Sequence, residues 1–297
     1  MTASLNVMLL AAGMGSRLLP YTTETPKPAI PFLTTPLAGY SLSLLEKIKI
    51  QNLVVNTFHL PEKIEQLFRQ LPKNYKNLSF TFEEQGLLGS GGGIHNAKKY
   101  LIGQDNFLVM NADELILPHH LGLIEDMISF HQWHKGIATL MVMKNPEVGS
   151  KFGGAWTQHQ SSVIKMFSKT NPGQELTGWH FIGVMLFSDR IFNYFKPQVE
   201  DENILYETLT AAIAKGEQAH IFEAHCEWYE TGNPDDFIHA ENKILSALES
   251  TTDDYWKQFL LQTIRLYGKN DYLIEKNDPQ LINKIRNVFT KNHIAID

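Results

Sequence analysis

Cysteine is nearly absent: Cys226 is the only one in 297 residues. One thiol excludes an internal disulfide framework and a cysteine-built zinc site, and it fits a reducing compartment. No apolar run approaches the roughly 18 residues that a membrane-spanning helix needs. The chain opens Met1-Thr2-Ala3-Ser4-Leu5-Asn6 without a basic stretch, and the apolar run Val7 to Ala12 is too short for a signal-peptide core and ends in glycine. The expectation is a soluble, cytoplasmic protein with no membrane partner. Cations are in deficit, with 26 Lys and Arg against 32 Asp and Glu and a net charge of −6. A broad basic face for nucleic acid is therefore not expected, and any cationic site must be local. Internal repeats, low-complexity tracts and a hexapeptide β-helix array are missing. So are a Gly-x-Ser-x-Gly elbow and a nucleophile signature around Cys226. The 12 histidines include His119-His120 and the His131/His134 pair. No third ligand follows at matching spacing, so they read as surface or satisfied core residues.

What is present can build a core: 43% of residues are hydrophobic, with 17 Phe, 10 Tyr and 5 Trp. The length fits one large α/β domain or two smaller ones. Short apolar runs at 7–11, 53–56, 78–82, 107–110 and 137–143 predict strands. Helical spacing at 38–50, 61–71, 94–100 and 120–134 falls between them, with Pro61 opening its helix. Strand and helix in alternation imply an α/β fold, Rossmann-like, with a mostly parallel central sheet and helices on both faces. Beyond residue 150 the pattern is less regular. Strands are expected at 153–156, 162–167 and 179–187, a helix at 205–215, an extended run at 219–223 and a helix at 235–248. Two further helices, about 253–267 and 278–291, are linked by Gly268 to Asp278. The division expected is a main domain over 1–248 and a C-terminal helical extension over 249–297, the latter packed on the core or serving a homo-oligomer contact.

The strongest signal is Leu10-Ala11-Ala12-Gly13-Met14-Gly15-Ser16-Arg17-Leu18-Leu19-Pro20, then Thr22, then Thr25-Pro26-Lys27-Pro28. A strand ends and a glycine loop begins, at the sheet edge where open α/β folds bind ligands. Gly13 and Gly15 let backbone N–H groups approach phosphate oxygens. Arg17 adds a forked cation and Lys27 a point charge, presented on backbone stiffened by Pro26 and Pro28. The loop is not a dinucleotide fingerprint, since Leu18 replaces the third glycine, and no Gly-Lys-Ser/Thr makes it a Walker loop.

This composite resembles the signature of the sugar-1-phosphate nucleotidylyltransferases. It is most similar to the short bacterial forms, such as N-acetylmuramate-1-phosphate uridylyltransferases and glucose-1-phosphate thymidylyltransferases. The resemblance spans roughly residues 5–240 and implies a fold of the nucleotidyltransferase type. Its motifs arrive in the family's order. By resemblance, the loop wraps a nucleoside triphosphate, Arg17 meets its β- and γ-phosphates, and Lys27 meets the reacting phosphates.

Leu88-Gly89-Ser90-Gly91-Gly92-Gly93-Ile94 is similar to the family's nucleobase segment. Glycines opening a helix would let a flat base lie on backbone, with Ser90 and Gly91 nearby; a flexible connector is the alternative. Glu84 and Gln85 are either base-edge partners or solvent-facing loop residues. Phe107-Leu108-Val109-Met110-Asn111-Ala112-Asp113 matches a motif whose Asp binds the catalytic Mg²⁺, with Ala112 a mild departure. Asp113 takes that role, and adjacent Glu114 should point elsewhere. Glu227-Trp228-Tyr229-Glu230-Thr231-Gly232-Asn233 matches the motif that completes the metal site. Glu230 stands there in place of Asp, which changes the metal geometry; Glu227 or Glu230 could instead cap a following helix. Lys169 falls where the family binds the sugar phosphate, although Ser168 and Thr170 replace the usual flanking Glu and Pro. Gly153 and Asn111 complete that side, and Phe181 lies in a strand that either closes over the sugar or belongs to the core.

The resemblance implies a Mg²⁺-dependent nucleotidyl transfer from a nucleoside triphosphate to a sugar 1-phosphate, leaning toward UTP. Two other readings stay open here. One is a choline-phosphate-type cytidylyltransferase with an aromatic cage drawn from Trp156, Trp179 and Trp228. The other is a nucleotide-sugar-binding regulator that has lost catalysis.

Overall fold

The computed structural model describes residues 4–84, 86–173, 175–249, 254–274 and 278–295. The opening apolar run forms strand β1 (Leu5–Leu10), a short hairpin follows as β2 (Pro31–Phe32) and β3 (Thr35–Pro36), and helix α1 spans Leu37–Leu44. Next come β4 (Ile50–Thr57), α2 (Pro61–Gln70), β5 (Tyr75–Phe82), α3 (Gly89–Asn96) and α4 (Lys98–Leu101). They are followed by β6 (Asn106–Asn111), β7 (Leu115–Pro118), α5 (Leu123–His134) and β8 (Ala138–Met143). The second half adds β9 (Gly154–Gln158), β10 (Ile164–Ser168), β11 (Leu176–Ser188), α6 (Thr210–Ala214), β12 (Ala219–Glu223) and β13 (Cys226–Tyr229). Helices α7 (Pro234–Glu249), α8 (Tyr255–Tyr267), α9 (Asp271–Ile274) and α10 (Pro279–Lys291) close the chain.

In the strand order β12-β8-β11-β6-β1-β4-β5, only β11 runs against its neighbours. The sheet is thus mostly parallel, as the alternation predicted. Both faces are covered, which is why the strands read as unbroken apolar runs. Val7, Leu9, Leu53, Val55, Leu108 and Met110 face α1, α2 and α5. Met8, Val54, Phe107 and Val109 face α3, α4 and the 191–212 segment. Strand β11 is longer than expected because it serves two partners in turn. Its first residues pair with β9, and its last are sandwiched between β6 and β8.

Several boundaries move for tertiary reasons. The helix expected over 38–50 ends at Leu44, because Ile50 already pairs with Tyr75 in the ladder between β4 and β5. The glycines at 91–93 lie inside α3, not ahead of it. Residues 204–209 form a π-helix before α6, and a short helix, α9, interrupts the predicted 268–278 linker. The predicted start at Thr2-Ala3, Gln85, residue 253 and linker residues 275–277 lie outside the described residues.

The C-terminal helices pack on the main domain. Ser43 and Thr263 share a 2.7 Å hydrogen bond, Lys269 N–H donates to the Thr34 carbonyl at 2.9 Å, and buried Glu241 on α7 accepts the Leu33 N–H at 2.8 Å. Trp256, Leu260, Ile264, Val288 and Phe289 spend their apolar faces on this contact with Phe32, Leu37, Tyr40 and Leu115. No helix of the described residues is long and apolar enough to cross a membrane.

His131 is a satisfied core residue on α5: Nδ1 meets Thr139 Oγ1 at 2.8 Å and Nε2 meets Asn106 Oδ1 at 3.0 Å. Burial pushes its pKa down to about 4, with His220, Arg190 and His134 adding to the shift, and burial alone does the same to His180. The unfolded chain takes up protons near pH 6.5, so stability is full above that pH and falls as pH drops toward 4. Thermal melts across this window should show a falling Tm. Substituting His131→Gln or His180→Gln should flatten the slope, and an unchanged slope in both variants would contradict the assignment.

Candidate active site

The carboxyl ends of β1, β4 and β6 open on a cavity of about 410 Å³. From β1 and its loop, Leu10, Ala11, Ala12, Gly13, Gly15, Ser16 and Arg17 line it. Lys27, Ser90, Asn111 and Asp113 join them from later elements. Met14 is exposed and lies outside the lining. Nothing within 4 Å would meet a methyl added to Gly13, so that backbone faces open space. Gly15 has φ +61 and packs against Thr22, where a methyl would come within 2.7 Å of Thr22 Cγ2. Buried Thr22 returns a hydrogen bond to the Gly15 carbonyl at 3.0 Å, so the loop's second half is fixed while its first half is left bare.

Lys27 sits on a 3₁₀ turn (Lys27–Ala29) entered through Pro26, and its Nζ lies 2.7 Å from Asp113 Oδ2. Their side chains are 14% and 25% exposed, so the pair is partly shielded yet reachable from the cavity. Thr231 Oγ1 donates to the Asp113 carbonyl at 3.1 Å, tying the turn after β6 to the segment that carries Glu230. Glu230 and the Arg17 guanidinium both lie against the Cα of Gly232: a methyl there would overlap Glu230 Oε1 and come within 2.6 Å of Arg17 Nη2. The cations Arg17 and Lys27 and the carboxylate Asp113 therefore line one cleft, and Glu230 stands outside the lining, beside Gly232. Among the described residues, no group of three or more His, Cys, Asp or Glu is arranged to hold a metal by itself. Two carboxylates suit a hard cation such as Mg²⁺, which keeps most of its coordination for water and phosphate oxygens.

Asn56 and Glu83 are among the lining residues that escaped the sequence reading. Asn56 accepts the Ala11 N–H at 2.8 Å and donates to Glu83 Oε1 at 2.7 Å. Glu83 Oε2 in turn accepts the Leu88 N–H at 2.8 Å. This chain of bonds ties the β1 loop to the start of α3. Burial pushes the Glu83 carboxyl above its ordinary pKa and Asp201 adds to the rise, while the bonds from Leu88 and Asn56 oppose it. Glu84, the candidate base-edge partner, is exposed and absent from the lining. Strand parity points the wrong way here: with Leu78, Phe80 and Phe82 as the apolar face Glu83 should turn outward, yet Phe82 is 50% exposed and Glu83 is buried.

The glycines of α3 answer to a different neighbour than expected. The Gly91 N–H donates to the Glu202 carbonyl at 2.7 Å, so it is already committed. A methyl on Gly91 would reach that carbonyl at 2.9 Å, and one on Gly92 would overlap the Glu200 carbonyl. Gly91 and Gly92 are small because residues 200–202 lie directly on them. Ser90 does reach the cleft, and its Oγ also accepts the Ile204 N–H at 3.1 Å.

Of the residues expected on the acceptor side, Gly153 and Lys169 come together outside this lining, whereas Asn111 lines the cavity itself. Gly153 lies next to Lys169: a methyl on Gly153 would come within 3.6 Å of the Lys169 Cα and would overlap the Tyr206 hydroxyl. The Lys169 ammonium lies over the Tyr206 ring, 5.6 Å from its centroid. Ser168 turns to the Thr170 backbone. Phe181, half-buried on β11 opposite Val142, packs on the core. On the opposite face of β11, the His180 ring contacts those of Phe152 and Trp228, and neither His180 nitrogen has a partner. Glu114 does point elsewhere than Asp113. It accepts from Asn111 Nδ2 at 2.8 Å and Trp228 Nε1 at 2.9 Å and lies against Gly183. Trp156 and Trp179 are 3% and 8% exposed, with indole N–H groups given to the Ser168 carbonyl and Thr157 Oγ1. An aromatic cage drawn from all three tryptophans is thus not formed.

A family model described as Nucleotidyl transferase matches residues 6–247. The chain belongs to that family. Among curated relatives it is 26% identical over 252 residues to a UTP–glucose-1-phosphate uridylyltransferase of Synechocystis sp., covering 82% of this chain and 64% of the relative. It is 27% identical over 246 residues to a mannose-1-phosphate guanyltransferase of Gibberella zeae, covering 81% and 64%. The chain thus spans somewhat less than two thirds of the length of these relatives. In fold it is similar to a UDP-glucose pyrophosphorylase solved with UDP-glucose, with a TM-score of 0.67, 22% identity and coverage of 82% of this chain and 99% of that one. HddC from Yersinia pseudotuberculosis gives a TM-score of 0.64 at 22% identity, covering 80% and 99%. These likenesses bear out the fold read from the alternation of strands and helices.

The two kinds of glycine separate experimentally. Gly92→Ala should cost about 1–3 kcal/mol of stability through overpacking against residue 200. Gly13→Ala, which meets open space, should leave stability unchanged or slightly raised. Urea melts of the two variants check this, and equal losses would contradict it.

Proposed function

We propose that the protein is a sugar-1-phosphate nucleotidylyltransferase, joining a nucleoside triphosphate to a sugar 1-phosphate with release of pyrophosphate. The observation that carries this reading is the Lys27–Asp113 pair, set 2.7 Å apart in a cleft floored by bare loop backbone. The activities named for the curated relatives, uridylyl and guanylyl transfer to hexose 1-phosphates, support it.

The chemistry needs no protein nucleophile. A phosphate oxygen of the sugar 1-phosphate attacks the α-phosphorus in line, the bond to the β-phosphate oxygen breaks, and pyrophosphate leaves. Three anionic groups must converge, so catalysis is positioning and charge stabilisation. The loop around Gly13, Gly15 and Ser16 supplies backbone donors to the triphosphate. Arg17 takes the β- and γ-phosphates and Lys27 the reacting α-phosphate. Lys169, with Gly153 and Asn111, takes the incoming sugar phosphate. Asp113 and Glu230 are the residues that would hold Mg²⁺, and that ion, when bound, offsets phosphate charge. The family is generally magnesium-dependent. A choline-phosphate acceptor is the weaker reading, because Trp156 and Trp179 are committed to the protein interior.

Pyrophosphate release from a panel of nucleoside triphosphates, UTP first, against sugar 1-phosphates and choline phosphate tests the proposal. Release with a sugar 1-phosphate is the expected result. Binding without release from any pair would mark a regulator and overturn it. Lys27→Ala and Arg17→Ala should each lower kcat/KM by about two orders of magnitude or more, the usual cost of a lost charge-stabilising group. Asp113→Asn should abolish Mg²⁺-dependent turnover, and an unchanged Mg²⁺ titration would refute the metal assignment.

A further inference from the structure

We propose that Tyr206 is a positioning residue for Lys169 and thereby sets the affinity for the acceptor substrate. The inference rests on the reading of Lys169 as the sugar-phosphate ligand. Lys169 is exposed, and among the described residues no carboxylate forms an ion pair with it. Its one charge-specific neighbour is the face of Tyr206, 5.6 Å from ammonium to ring centroid. An aromatic face attracts a cation without neutralising it, so the ammonium is held in place with its charge available to a phosphate. A carboxylate in the same position would compete with the substrate for that charge.

The backbone around Tyr206 is built for the purpose. Residues 204–209 are π-helical, a conformation that is rare and concentrated at functional sites. The turn is started by Asn203, whose side-chain oxygen accepts the Leu205 and Tyr206 N–H groups at 3.0 Å each. Phe167 on β10 meets the ring edge-on, with centroids 6.3 Å apart. The hydroxyl rests on the Cα of Gly153, in the space any larger residue would fill. Gly153 is therefore small to admit Tyr206, and the glycine, the tyrosine and the lysine form one mechanical unit. The Tyr206 hydroxyl makes no hydrogen bond among the described residues, so the ring face is its contribution to Lys169.

The test separates the ring from the hydroxyl. Tyr206→Leu removes the cation-binding face and should raise KM for the sugar 1-phosphate about 3- to 10-fold, the range that loss of a partly exposed cation–π contact supports. KM for the triphosphate should stay within about 2-fold. Tyr206→Phe should keep the wild-type KM to within the same factor. Gly153→Ala should raise the acceptor KM by displacing Tyr206, and adding Tyr206→Phe, which removes the obstructing oxygen, should restore it. Circular dichroism melts confirm that each variant folds, and the Gly153 and Tyr206→Phe pair decides the matter if Tyr206→Leu does not. An active wild type with an unmoved acceptor KM in Tyr206→Leu, equal changes in both KM values, or no rescue in the double variant would overturn the role of Tyr206. A wild type that releases no pyrophosphate from any pair would instead overturn the proposed function.

Discussion

Like charges resist being brought together, and the cleft is organised around that fact. A polyanion cannot enter a pocket lined with carboxylates alone, and a pocket lined with cations alone is strained when empty. Lys27 and Asp113 settle both demands by facing each other at 2.7 Å. Their partial exposure matters, because a fully buried pair would carry a large desolvation penalty and could not be reached by substrate. Arg17 and Glu230 both lie against Gly232, where any larger side chain would meet them. The fold's contribution is to bring β1, the 27–29 turn, the end of β6 and the strand before α7 to one edge of the sheet.

That edge is held by hydrogen bonds more than by packing. Asn56 and Glu83 carry a continuous path from the Ala11 N–H to the Leu88 N–H, crossing β4 and β5. Such a path is costly to leave half-made in a buried site, so it fixes the loop and α3 relative to each other. The C-terminal helices act on the other flank. Glu241 and Lys269 hold the backbone at Leu33 and Thr34, shortly after the turn that presents Lys27.

What could be read in the sequence was what depends on neighbours along the chain. The glycine loop, the stiffened Lys27 and the strand ending at Asp113 are local patterns whose physical reason lies within a few residues. Glu83 was not legible, since alternation with Leu78, Phe80 and Phe82 on the apolar face turns it outward, whereas the structure exposes Phe82 and buries Glu83. The glycines of α3 were not, because the reason for Gly91 and Gly92 is the backbone at 200–202, which no local pattern announces. Gly153 was placed on the sugar side by resemblance alone, and the atom that requires a glycine there belongs to Tyr206, on a π-turn without a sequence signature. Helix 38–50 was overrun for the same cause: its apolar spacing continues, and only the ladder with β5 shows that residue 50 is already strand.

The helix expected at 205–215 is present, but it begins as a π-turn, and the stretch leading into it touches both α3 and the Gly153–Lys169 pair. Glu202 accepts from Gly91 and donates its own N–H to the Leu88 carbonyl, fixing it to the α3 side. Four residues on, Tyr206 lies against Gly153 and Lys169. A regular α-helix over 204–209 would turn each residue about 100° from the last, whereas a π-turn inserts a residue and rotates those that follow. The π-turn is therefore what lets one short stretch serve both contacts. The spacing between the α3 contact and the Gly153–Lys169 contact is set by backbone geometry in that stretch.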